Sequence, residues 1–184
     1  LKVLFLRIIQ KHARESFDDL IRRTMTCQPH KTSQGMIQFP NGSRIIYGGC
    51  RTAQDVEGDV GQEYDLIIVE ELTQFPQDTI DMVLGSLRTS RTDGWRPRAY
   101  FTTNPGGVGH EWVKQQFVIP YRMKQEQATR FIPALSTDNP HVNPEYQAYL
   151  DGLTGIRRAM WRDGDWDLQE GRAFPLFGED NIIT

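Results

Sequence analysis

Cysteine is nearly missing from this 184-residue chain, with Cys27 and Cys50 alone. That excludes a disulfide scaffold and fits a reducing compartment. No apolar run approaches the roughly 20 residues that a membrane span needs. No basic segment followed by an apolar one opens the chain, so nothing supports secretion. Charge of one sign is lacking too: Lys and Arg total 21 against 24 Asp and Glu, a net charge of -3. A nucleic-acid binder that works by charge alone normally carries a basic stripe, and none is present. Internal repeats and low-complexity tracts are also missing. The chain opens on Leu1 rather than Met, inside an apolar run, and reads as a piece of a longer protein.

What charge there is lies in mild blocks. Residues 1–50 hold eight Lys/Arg and three Asp/Glu, whereas residues 51–110 hold five and ten. Within that acidic middle, Arg88, Arg91, Arg96 and Arg98 form a local basic group. It is either a solvated helix end and loop or a phosphate contact.

Hydrophobic patterning alternates between strand and helix. Residues 1–9 (LKVLFLRII) and 65–69 (DLIIV) are apolar runs rich in β-formers, as in strands buried on both faces. Residues 13–25 carry apolar side chains at helical spacing, and so do Ile80, Val83, Leu84 and Leu87 beyond Pro76. Short β-like runs at 36–39 and 44–47 flank Pro40-Asn41-Gly42-Ser43, a hairpin signal. Further strands are expected at 98–103 and 129–134, and short helices at 111–118, 145–150 and 156–161. The pattern implies an α/β fold with a mainly parallel sheet flanked by helices.

The sharpest chemical signal is Asp65-Leu66-Ile67-Ile68-Val69-Glu70-Glu71. Two carboxylates end a buried strand, and burying charge is expensive unless it is paired or binds a metal. Ligands of open α/β sheets sit at the carboxyl ends of strands. This is the pattern of a Walker B segment, with Glu70 assigned to hydrated Mg²⁺ and Glu71 to the attacking water. The plainer alternative is a strand running into an exposed loop with both acids in solvent. A second strand ends in Thr102-Thr103-Asn104-Pro105-Gly106-Gly107. Were it to lie beside residues 65–69, Thr103 and Asn104 would face the same crevice, Asn104 being able both to donate and to accept. Its alternative is a capped loop start.

Together these motifs resemble the ATPase domain of phage terminase large subunits, the motors that drive DNA into viral procapsids. The resemblance runs through Gly61-Gln62-Glu63-Tyr64-Asp65-Leu66, Glu70-Glu71-Leu72-Thr73-Gln74-Phe75, Arg88, and Thr103-Asn104-Pro105-Gly106-Gly107 with His110, Trp112 and Phe117. The tail Gly164-Asp165-Trp166, with Glu170-Gly171 and Phe174, is similar to the family's passage toward its nuclease domain. The resemblance implies a partial RecA-like P-loop NTPase domain over 1–162 and a linker over 163–184. It implies ATP as substrate with Mg²⁺, Glu70 as the Walker B acid holding the metal through water, and Glu71 as the catalytic glutamate. Thr102, Thr103 and Asn104 would then couple hydrolysis to DNA movement. Partners would be double-stranded DNA, the portal protein and the small terminase subunit, in a homo-oligomeric ring in the host cytoplasm, with no membrane.

Three departures stand out. The phosphate loop GxxxxGK[ST] is absent, Gly48-Gly49-Cys50-Arg51-Thr52 having neither its spacing nor its Lys, and is expected upstream of Leu1. Glu70 stands where many relatives place Asp. No Arg lies just before Gly61, where some relatives carry an arginine finger, which leaves Arg88 and Arg51 as substitutes. A helicase of the same broad class and a catalytically inert interaction module are the rival functions.

Smaller clusters carry less. Cys27, His30 and Cys50 offer one close pair where structural zinc needs two. Asp163, Asp165 and Asp167 alternate as in a calcium loop, but Leu168 replaces its glycine and Phe174 its bidentate acid. His110 is expected as a surface residue opening a helix, and Trp112, Trp161 and Trp166 as core or junction aromatics.

Overall fold

The structure, a computed structural model, describes residues 1–31, 35–49, 62–126 and 128–168. Within them the chain forms two compact units, Leu1–Thr103 and Asn104–Thr184.

The first unit is built on a six-stranded sheet. Its strands are β1 (Lys2–Arg7), β2 (His30–Lys31), β3 (Met36–Gln38), β4 (Arg44–Gly49), β5 (Leu66–Val69) and β6 (Arg98–Phe101), in the order β2-β3-β4-β1-β5-β6. The four strands β4, β1, β5 and β6 are parallel, and β2 and β3 add an antiparallel edge. The longest apolar run of the sequence becomes the centre: β1 is bordered on both sides, and Val3, Leu4 and Leu6 are buried. Each fully buried side chain of this kind contributes about 1.5–3 kcal/mol.

Helix α1 (Gln10–Arg23) buries Ala13 and Phe17. The Phe17 ring lies 5.4 Å from that of Phe5 and 4.3 Å from that of Tyr47, side chains that sit opposite one another on β1 and β4. Helix α2 (Gln77–Leu84) starts after Pro76 and buries Thr79, Ile80 and Val83. The β3–β4 hairpin turns at Gly42, whose φ of 79° suits glycine, while Asn41 Oδ1 accepts the Ser43 N–H at 2.9 Å.

The second unit is helical. Helix α3 (His110–Val113) passes through a wider π turn at Lys114–Val118 into α4 (Ile119–Arg122). Pro120 explains the widening, since it has no N–H for the Gln116 carbonyl and its ring crowds that oxygen. Helix α5 (Pro144–Gly152) is capped by Asn143, whose Oδ1 accepts the Glu145 N–H at 2.8 Å. Helix α6 (Gly155–Trp161) folds back on α5, with Arg158 Nη1 donating to the Asp151 carbonyl at 3.0 Å. Among the described residues no helix is long and apolar enough to cross a membrane.

The strand expected at 129–134 does not form. Phe131 alone turns inward, its ring tilted against Tyr121 and edge-on to Trp166, while Ile132 is 82% exposed. The Phe131 N–H goes to a Glu126 carboxylate oxygen, not to a partner strand, and Pro133 has no N–H to offer. Residues 163–168 pack into this unit: Trp166 is buried, and Asp167 takes ion pairs from Lys114 at 2.8 Å and Arg122 at 2.9 Å. The hydrogen bond from Arg122, backed by Lys114, holds the Asp167 carboxyl down at about 2 although burial pushes it up. A depressed carboxyl stabilises the fold above its unfolded pKa of 3.8 and ceases to do so as pH falls through the folded value. Asp167→Asn is therefore expected to flatten the acid limb of a stability-against-pH curve between 3.8 and about 2. Unfolding followed by Trp fluorescence checks this, and an unchanged limb refutes it.

Candidate nucleotide site

The two polar strand tips meet. β5 and β6 are parallel neighbours in the register Leu66↔Arg98 to Val69↔Phe101, so both end at one edge of the sheet. Beyond β5, the Glu70 N–H still donates to the Leu6 carbonyl at 3.0 Å. Continued strand alternation would send Glu71 to the buried face of Ile67 and Val69. A left-handed turn prevents it: Glu71 has φ 59° and ψ 52°, and its side chain stays half exposed at the tip. That conformation costs about 1–2 kcal/mol for a residue with a Cβ.

The turn is stitched to β6. The Thr102 N–H donates to the Val69 carbonyl at 3.0 Å, and the Leu72 N–H to the Thr102 carbonyl at 2.9 Å. Thr103 Oγ1 accepts the Thr73 N–H at 3.1 Å and donates to Thr73 Oγ1 at 3.0 Å. Glu70, Glu71, Thr102 and Thr103 are thus brought together, with Thr73 between them. Asn104, exposed, is the first residue of the second unit.

Sequence reasoning missed Arg7. β1 and β5 run in the register Leu6↔Val69, so the next residue of β1 is level with Glu70. Arg7 Nε lies 2.9 Å from Glu70 Oε2, and Nη2 lies 3.3 Å from Glu71 Oε1. One guanidinium therefore faces both acids. The available signal was a single cation closing an apolar run, which gains meaning only from a partner strand far along the chain.

Arg88 lies elsewhere. It pairs with Glu63 at 3.9 Å and donates to the Gly85 carbonyl at 3.5 Å, before the start of β5 and so at the far end of that strand from Glu70. Arg51 lies outside the described residues, as do Cys50 and Gly61. Within the Arg88–Arg98 group, Arg91 pairs with Asp93, and Arg98 stands 5.3 Å over the Trp95 ring. Asp65, at the start of β5, is a structural acid. Burial pushes its carboxyl up, but hydrogen bonds from the Thr89 hydroxyl and the Lys2 N–H, with the charge of Arg91, outweigh that and hold it below its ordinary value.

His110 is corrected from surface to core. It is 0% exposed; Nδ1 accepts the Gly106 N–H at 2.8 Å, so the ring proton sits on Nε2, 3.0 Å from the Trp166 carbonyl. Trp161, expected as a core or junction aromatic, is half exposed.

The donor set at the strand tips fits Mg²⁺. It consists of carboxylate and hydroxyl oxygens, hard ligands. Among the described residues no cluster of three or more His, Cys, Asp or Glu could cage a metal. Mg²⁺ needs none, since it is usually held by one or two carboxylates, waters and substrate phosphates.

A mainly parallel sheet flanked by helices, with acids at the carboxyl end of an interior strand, is the RecA-like α/β class. The chain belongs to the phage terminase large subunit family: the family model Terminase_3 matches residues 13–163. Among solved structures it is similar to the large terminase of a thermophilic bacteriophage in complex with ADP. That match has a TM-score of 0.67 and 16% identity, and covers 97% of this chain and 44% of that one. Another crystal form of the same terminase gives 0.69 at 16% identity, covering 97% and 44%. Its complex with ATP-gamma-S gives 0.65 at 15%, covering 90% and 39%. The chain thus spans less than half the length of these terminases. Comparison with curated proteins gives no match.

Proposed function

We propose that this chain carries the hydrolytic side of the ATP site of a DNA-packaging motor. The observation that carries the reading is the stitching of the β5 tip, with its two acids, to the β6 tip through Thr73 and Thr103. Similarity to a terminase solved with ADP and with ATP-gamma-S supports a nucleotide as the ligand. Mg²⁺ bound with ATP would supply charge neutralisation at the phosphates. Glu70 would hold that ion through its waters, and Glu71 would orient the attacking water and accept its proton. Thr103 would pass the change at the Glu71 turn into β6 and on to Asn104. The phosphate cradle is not encoded in these residues, so the 184-residue chain alone should bind Mg·ATP weakly. DNA, the portal and the small subunit would be partners of the whole motor, working as a ring in the cytoplasm of the infected host.

Thr103→Val in the intact large subunit tests the coupling. Valine keeps the shape but loses both bonds to Thr73, each worth about 1 kcal/mol. DNA packaged per ATP hydrolysed should fall about tenfold while hydrolysis itself stays within a few fold. Equal loss of both activities, or of neither, refutes the assignment.

A further inference from the structure

We propose that Arg7 is a positioning residue that serves as a placeholder cation, holding Glu70 and Glu71 apart from solvent ions and yielding Glu70 when a divalent metal arrives. This rests on the reading of Glu70 as the metal's carboxylate. Two acids at adjacent positions repel each other, and the cation that faces both is a guanidinium from the neighbouring strand tip. Its grip is loose. Arg7 Nε approaches Glu70 within 2.9 Å yet is not aligned as a hydrogen bond, and that buried nitrogen has no hydrogen-bond partner. The two aligned contacts are long, 3.3 Å to Glu71 and 3.4 Å to Ser16 Oγ.

Two arginines of the helical unit are anchored differently. Arg122 reaches both oxygens of Asp167 at 2.9 and 3.0 Å, and Arg162 reaches Asp151 at 2.5 Å. Those pairs tie helices to their neighbours. Arg7, with five donors and no short aligned bond, neutralises charge without locking geometry. Its side chain is 22% exposed and its partners 31% and 50%, so the pairs are partly screened and release costs little. A divalent ion brings twice the charge to the same carboxylate and repels the guanidinium, so the two cations exclude each other.

Mn²⁺, a spectroscopic stand-in for Mg²⁺, tests this without nucleotide. Its binding to the 184-residue chain is followed by water-proton relaxation at neutral pH. Removing one positive charge beside a divalent site should tighten binding about tenfold in Arg7→Met. Arg7→Lys, which keeps the charge but cannot span both acids, should bind as the parent chain does. Glu70→Gln in the Arg7→Met background should return the affinity to the parent level or below. If Arg7→Met binds no tighter while Glu70→Gln still weakens binding, the placeholder role is overturned and the metal reading stands. If Arg7→Met tightens binding and Glu70→Gln leaves it unchanged, the metal reading itself falls. Absence of Mn²⁺ binding in every variant overturns the placeholder role as well.

Discussion

Glu71→Gln in the intact large subunit is expected to slow ATP hydrolysis at least about a hundredfold while nucleotide affinity changes little. The amide keeps the size of the side chain and the left-handed backbone, and removes only the ability to take a proton. A positioned general base typically contributes about 10²- to 10⁴-fold. Glu71 is half exposed at the strand tip, where a water can approach it, and Arg7 is its ion-pair partner. Hydrolysis at the parent rate, measured under saturating Mg·ATP, removes Glu71 from the chemistry. A large loss of nucleotide affinity would instead make it a binding residue.

The largest effect on stability is expected at His110. His110→Ala strands the Gly106 N–H and the Trp166 carbonyl, each of which has the imidazole as a partner, in a buried setting. An unsatisfied buried backbone group costs about 1–3 kcal/mol. Two of them, with a cavity where the ring stood, should destabilise the chain by about 3–5 kcal/mol in a urea titration. A change below about 1 kcal/mol would mean that water replaces both bonds. The effect should appear in the unit holding Trp166 first. No side chain can be added at Gly106 to fill the space, because its φ of 110° favours glycine and Met160 Cε stands where a Cβ would lie.

The parts of this molecule that could be read in advance are those where one physical cause dominates. β1 and β5 have neighbours on both sides, one face fully buried and the other partly covered, which leaves mostly apolar β-formers in them, and the Glu70–Glu71 pair is anomalous against that background. Asn41-Gly42 announces its hairpin because the turn needs a positive φ there. Residues 129–134 have strand-like composition, but the Phe131 N–H is taken by the Glu126 side chain instead of a partner strand, and composition carries no information about partners. His110 was misplaced for the same reason: its two partners are a loop amide four residues on the N-terminal side and a carbonyl 56 residues away. Arg7 needed the parallel register of β1 and β5 before its charge meant anything. The left-handed turn at Glu71 was hidden because such turns are usually marked by glycine or asparagine.

That turn sets robustness against turnover at a single codon. Glycine at position 71 would relax the main chain, so a laboratory selection for heat tolerance alone should enrich Glu71→Gly. The survivors of such a screen would be sturdier and silent as engines. Retention of an acid there, in a backbone shape that disfavours it, is what selection for working motors would look like in this family.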